Sequence, residues 1–243
     1  MVASSLIGIG LYTPAEASHL LGISAAKIVR WLKGHRIGGR LYPPLWRPQV
    51  DIDDGHIYLG FRDLMEMRVA NAFISRGLSP QKVRRAIEIA RSMLKEDRPL
   101  STARFRTDGR TVFIQLKNED GSDEMVDLFL RQHVFREIIE PSLKNIDFTT
   151  DGIPSRWWPR GKQARIVLDP QRAFGQPIEV DTGVPTVALA AAFDAEGSME
   201  AAAGVSLPRH LFQCGGWGSA PDPFSRTAKR SQKFSRRFFG SVS

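Results

Sequence analysis

Cysteine is nearly missing from this chain: one residue, Cys214, in 243. A lone cysteine excludes an intrachain disulfide and a cysteine-built metal cluster, and it points to a reducing, cytosolic setting. Long hydrophobic runs are missing as well. No apolar stretch approaches the ~18 residues that a membrane span requires. The opening MVASSLIGIG has no basic residue ahead of its apolar part, which argues against a secretory signal. Acidic residues are absent from Ala17 to Val50, a stretch that holds Lys27, Arg30, Lys33, Arg36, Arg40 and Arg47.

Catalytic patterns are also lacking. The histidines are His19, His35, His56, His133 and His210, and none forms an HxH or HxxxH pair. No phosphate-binding Walker loop, GxSxG elbow or GxGxxG turn occurs. Gly8-Ile9-Gly10 lacks a strand-turn-helix context and reads as linker. Asp51, Asp53 and Asp54 would suit a cation, but an Asp-rich turn is the simpler account. The expectation is a protein without catalytic residues, metal or cofactor.

The formal net charge is +8, and its distribution is uneven. Residues 207–243 hold seven Lys or Arg against one Asp, while the other 206 residues carry a net charge of only +2. Two basic regions, one at each end, suggest contact with polyanionic or acidic partners. The length suits one large domain or two to three small ones.

Thr13-Pro14 reads as an N-cap followed by proline at the first helical position. A short helix then runs to Leu21 and stops at Gly22. Ile23 turns inward, Ser24 caps a second helix over Ala25 to Lys33, and Gly34 ends it. Two short helices joined by such a turn match the helix-turn-helix pattern. In the second, Ile28 and Leu32 share a face flanked by Val29 and Trp31, while Lys27, Arg30 and Lys33 recur at steps of three. A helix so placed enters the major groove of DNA. Lys27 and Arg30 are the candidates for the groove, with Lys33, Arg36 and Arg40 for the backbone, and the capping Ser24 is a further DNA-binding candidate. A solvated basic helix in a bundle is the plainer alternative.

Beyond Gly38-Gly39, three prolines exclude regular helix. Leu45-Trp46 and His56 to Leu59 bracket an Asp54-Gly55 turn, which suggests a hairpin or wing. Helical spacing resumes at Phe61 with Leu64, Met65, Val69, Ala72 and Phe73, and ends at Gly77. Ser79-Pro80 starts another helix with Val83, Ala86, Ile87, Ala90 and Leu94 on one face. These two helices carry more apolar residues than a small head needs, so they are expected to supply a homodimer interface.

Further on, Asp108-Gly109-Arg110 between 103–107 and 111–116 reads as a β-hairpin. Met125 to Ile139 reads as helix, closed by Glu140-Pro141. Residues 147–161 are turn-rich and hold Trp157-Trp158, a packing plug or an interface anchor. Ile166 to Leu168 and the stretch around Pro177-Ile178 read as strands, with an Asp169-Pro170 turn between them. Val187 to Ala195 reads as helix, and Gly197-Ser198 starts another. The expected fold is α+β and mostly helical.

LYTPAEASHLLGISAAKIVRWLKG, followed by FRDLMEMRVANAFISRGLSPQKV, resembles the winged helix-turn-helix head of MerR-like regulators. The stretch from Ala164 to Ser206 resembles a domain associated with VapB-type antitoxins, encoded beside PIN-like ribonuclease toxins. The resemblance implies a MerR-like winged head over 10–98, a linking α+β region over 99–164, a small α/β antitoxin-type module over 165–206 and a basic tail over 207–243. It implies an antitoxin of a type II toxin–antitoxin system, a cytoplasmic homodimer that binds operator DNA, represses its own operon and neutralises the toxin. Family members continue into a further helix where this chain turns Gly/Ser/Pro-rich and then basic. That tail is an unstructured terminus or a segment that folds on the toxin through Arg230, Phe234, Arg236, Arg237, Phe238 and Phe239. A MerR-like regulator sensing a small organic ligand is the competing reading.

Overall fold

The structure is a computed structural model and describes residues 8–52, 54–121 and 124–196. It is α+β and mostly helical. Helices α1 (Pro14–Leu21) and α2 (Ala25–Lys33) open the chain. Thr13 and Glu16 form a full capping box on α1, and Gly22 ends that helix at φ +68°. The Ser24 hydroxyl accepts from the Lys27 amide at the start of α2. Strands β1 (His35–Ile37) and β2 (Arg40–Tyr42) pair antiparallel, with Arg36 opposite Leu41. Helices α3 (Phe61–Ser75) and α4 (Pro80–Leu94) follow, as their spacing and the Ser79-Pro80 start predict.

The hairpin lies earlier than expected. Leu45 and Trp46 are not strand residues facing a wing but buried members of the core. Val50 and Tyr58 make only a single bridge, as do Tyr12 and Leu59. The strands turn instead at Gly38-Gly39, whose φ angles of +54° and +80° suit glycine.

The expected hairpin at 103–116 is helix α5 (Ala103–Asp120), capped by the Thr102 hydroxyl. Gly109 lies inside it for a packing reason. A β-carbon there would meet Cζ of Phe135 at 2.6 Å. The glycine admits a ring rather than making a turn.

The helix expected over 125–139 is two, α6 (Glu124–Leu130) and α7 (Gln132–Leu143), parted by Arg131 at an extended ψ of 122°. Pro141 does not close α7, which continues to Leu143. Other bonds support that last turn: Ser142 Oγ donates to the Ile138 carbonyl at 2.6 Å, and Arg68 donates to the carbonyls of Pro141 and Lys144.

Phe73, Phe105, Phe113, Phe129 and Phe135 meet where α3, α5, α6 and α7 converge. The ring of Phe73 lies 5.1–6.3 Å from the other four, mostly tilted or edge-on, as aromatic clusters prefer. The apolar surplus of α3 is therefore buried within its own chain, Leu64, Met65, Met67, Val69 and Phe73 included.

Strands β3 (Ile146–Phe148), β4 (Pro154–Trp157), β5 (Ile166–Leu168) and β6 (Pro177–Glu179) form one antiparallel sheet in that order. The turn-rich stretch thus contains two strands. Trp157 and Trp158 are both buried, so they pack and are not an exposed anchor. Helix α8 (Thr186–Glu196) comes last. The helix start at Gly197-Ser198, Cys214 and the tail residues Arg230, Phe234, Arg236, Arg237, Phe238 and Phe239 lie outside the described residues.

Candidate nucleic-acid interface

Helix α2 buries Ile28, Trp31 and Leu32 against the core and turns Arg30 and Lys33 to solvent. Ser24 is exposed at its start. Lys27 is half-buried: Nζ donates to Asn71 Oδ1 on α3 at 3.2 Å and stands 4.7 Å over the Trp31 ring. It holds α2 against α3 and is the least available of the six candidates. Steps of three drift around a helix by about a sixth of a turn each time, so Lys27 sits at the edge of the buried face. Lys33 Nζ reaches the Gly55 carbonyl at 3.4 Å.

The hairpin continues this basic surface. Arg36 on β1 and Arg40 on β2 are exposed. His35 stacks on Tyr42 at 5.0 Å, and the Arg40 guanidinium lies 5.5 Å from the Tyr42 ring. Gly34 allows the hairpin to start close to the chain's return: a β-carbon there would meet the Tyr42 carbonyl oxygen at 2.6 Å. Leu41 stands out at 60% exposure beside these cations. Arg30, Lys33, Arg36 and Arg40 thus present four solvent-facing cations on a helix and the hairpin that follows it.

What fastens the loop after this hairpin was missed in the sequence. Asp63 is fully buried on α3 and accepts from Trp46 Nε1 at 3.0 Å, the Gln49 amide at 2.7 Å, the Gly60 amide at 3.1 Å and Arg98 Nε at 2.6 Å. One turn on, buried Glu66 accepts from the amides of Leu100 and Ser101. Burial pushes its carboxyl up to about 7, against the lowering effect of those amides. Two acids three apart amid Leu64, Met65 and Met67 were the available signal, because buried carboxylates require fixed donors.

Asp54 accepts from the His56 amide and the Tyr58 hydroxyl, which hold it below the usual carboxylate range. Asp53 lies outside the described residues. Among those described, no three His, Cys, Asp or Glu side chains are grouped to hold a metal, and no helix is long and apolar enough to cross a membrane.

A Mycobacterium tuberculosis protein named "Putative antitoxin VapB45" is 30% identical to this chain over 190 residues, spanning 72% of this chain and 78% of that one. The chain belongs to the VapB-type antitoxin family. The crystal structure of Rv2018 from Mycobacterium tuberculosis superposes with a TM-score of 0.65 at 27% identity, covering 82% of this chain and 93% of the other. No protein-family model matches the chain. For a VapB-family chain, the exposed cations of α2 and the hairpin are the surface to test first.

Proposed function

We propose that the chain is the antitoxin of a type II toxin–antitoxin pair, which neutralises a PIN-like ribonuclease and binds operator DNA to repress its own operon. Relationship to VapB45 over most of both chains carries the reading. Residues 10–98 act as a MerR-like winged head. Arg30 faces the major groove from α2, with Ser24 and Lys27 beside it. Lys33, Arg36 and Arg40 hold phosphates. Their exposure supports these roles, while the contact between Lys27 and Asn71 makes Lys27 the weakest of them.

Toxin contact belongs to the tail. PIN-like nucleases gather carboxylates around Mg²⁺, and such a cluster attracts a guanidinium. Arg230, Arg236 or Arg237 fills that role, and Phe234, Phe238 and Phe239 occupy apolar pockets. The chain works as a homodimer, so that two heads read two half-sites.

Co-expression with the neighbouring gene, followed by co-purification, tests the pairing. Deleting residues 222–243 is expected to abolish inhibition of the nuclease; unchanged inhibition would remove the tail from the reading. Arg30→Ala is expected to cost about 1–3 kcal/mol of operator affinity in a gel-shift titration. Sedimentation showing a monomer at micromolar concentration would count against the dimer.

A further inference from the structure

A cleft of about 550 Å³ opens between the 44–49 loop, the first turn of α3, the side of α4 and the connection after it. Arg47, Arg62, Arg84, Arg91 and Arg98 line it. Two of these are neutralised: Arg62 pairs with Glu96 at 2.9 Å and Arg98 with Asp63 at 2.6 Å. Three are not. Arg84 donates through Nε to the Pro44 carbonyl at 2.8 Å and through Nη2 to that of Pro43. Arg91 Nε donates to the Asp97 carbonyl at 2.9 Å. Carbonyl oxygens aim a guanidinium without cancelling its charge. Arg47 is exposed and its side chain makes no hydrogen bond or ion pair among the described residues. The acids in the lining, Glu88 and Asp97, are exposed, and Glu88 is engaged by Arg85 at 3.1 Å.

We propose that this cleft is a phosphate site, in which Arg47, Arg84 and Arg91 grip one phosphate group or two linked ones. Guanidinium forks match phosphate oxygens in pairs, and arginines already fixed by other bonds lose little freedom on binding. Burial pushes the Arg84 guanidinium below its ordinary value, against the raising charge of Glu88, and an oxyanion in the cleft adds to that offset. The phosphate comes from the DNA backbone or from a free phosphorylated compound. The cleft's position fits both sources. Its loop leaves β2, and the Leu45 amide donates to the Trp31 carbonyl near the end of α2 at 2.7 Å. The site does not depend on operator recognition, since free phosphate would bind without it.

The full-length chain is titrated with inorganic pyrophosphate at constant ionic strength by calorimetry, and with duplexes of unrelated sequence by fluorescence anisotropy. Arg47→Gln/Arg91→Gln is compared with Arg106→Gln/Arg136→Gln, which removes the same charge from exposed positions elsewhere. Arg84 is left intact because it fastens the loop. Matching thermal melts establish that both doubles fold. Saturable pyrophosphate binding that weakens about tenfold or more in the cleft double, but not in the control, shows a free-phosphate site. Absent pyrophosphate binding, with duplex affinity reduced and its salt slope shallower by about one to two in the cleft double alone, shows a backbone site. Equal behaviour of the cleft double and the wild type towards both ligands overturns the proposal, as does an equal loss in the control. Operator preference measured alongside is a separate readout, so either reading can fail alone.

Discussion

Gly109 shows how one residue is read differently in isolation and in place. In a helix interior, alanine is favoured over glycine by about 1 kcal/mol. Here the added β-carbon would press on the Phe135 ring at 2.6 Å, and overpacking a tight core costs about 1–3 kcal/mol. Gly109→Ala is therefore expected to lower the melting temperature; a rise would show that the ring yields freely. Glu66 makes a second single-residue case. Its folded value of about 7 lies above the ordinary 4.5, so between those values the folded chain keeps a proton that the unfolded chain has released. Its contribution is fully present below the lower value and is lost as pH rises through the upper one. The change is on the order of 3 kcal/mol. Urea midpoints are expected to fall between about pH 5 and 8, and Glu66→Gln to flatten that slope. An unchanged slope in the variant would assign the titration to another group.

At the scale of elements, what could be read in the sequence was what short-range chemistry decides. Thr13-Pro14, Ser24 and Ser79-Pro80 start α1, α2 and α4, and Gly22 and Gly34 stop the first two, because caps act through neighbouring amides. Helix α5 escaped because the Gly109 signal is tertiary: its partner, Phe135, arrives from α7. The β1–β2 hairpin escaped because three-residue strands carrying Arg36 and Arg40 show no alternation of apolar and polar residues. The exposed cations themselves were legible as a run without acids, whereas the acid that fastens the loop after the hairpin was not. Asp63 joins α3 to the loop after the hairpin and to Arg98, all through one carboxylate. Asp63→Ala leaves Arg98 buried and unpaired, for which about 3–5 kcal/mol of lost stability is expected by urea denaturation. Replacing both partners, as Asp63→Leu with Arg98→Met, removes the unpaired charge but leaves Trp46 Nε1 and the Gln49 and Gly60 amides without their acceptor, so only part of that loss is expected to be recovered. A double variant as unstable as the single one would mean that the backbone contacts, and not the ion pair, carry the energy.

Across the whole molecule, the opening strand-like segment reaches the last sheet. The Leu11 amide donates to the Phe174 carbonyl at 2.9 Å, and the buried Tyr12 hydroxyl donates to the Gly175 carbonyl at 2.6 Å. Gly175 has φ +80°, and a β-carbon there would collide with the Tyr12 hydroxyl. No local pattern announces a contact 163 positions apart. It joins the segment leading into α1 to the turn before β6, so the start of the head is bonded directly to the last sheet. Burial, reinforced by the charges of Glu16 and Asp169, pushes the Tyr12 phenol above its ordinary value. The group therefore stays a neutral donor at ordinary pH, and its bond is not a pH-dependent latch. Tyr12→Phe keeps the ring but strands a buried carbonyl, which costs about 1–3 kcal/mol. If the contact couples the two regions, hydrogen exchange in the variant will speed up in β5 and β6 as well as around α1. Faster exchange at α1 alone would show that the two ends touch without sharing their stability.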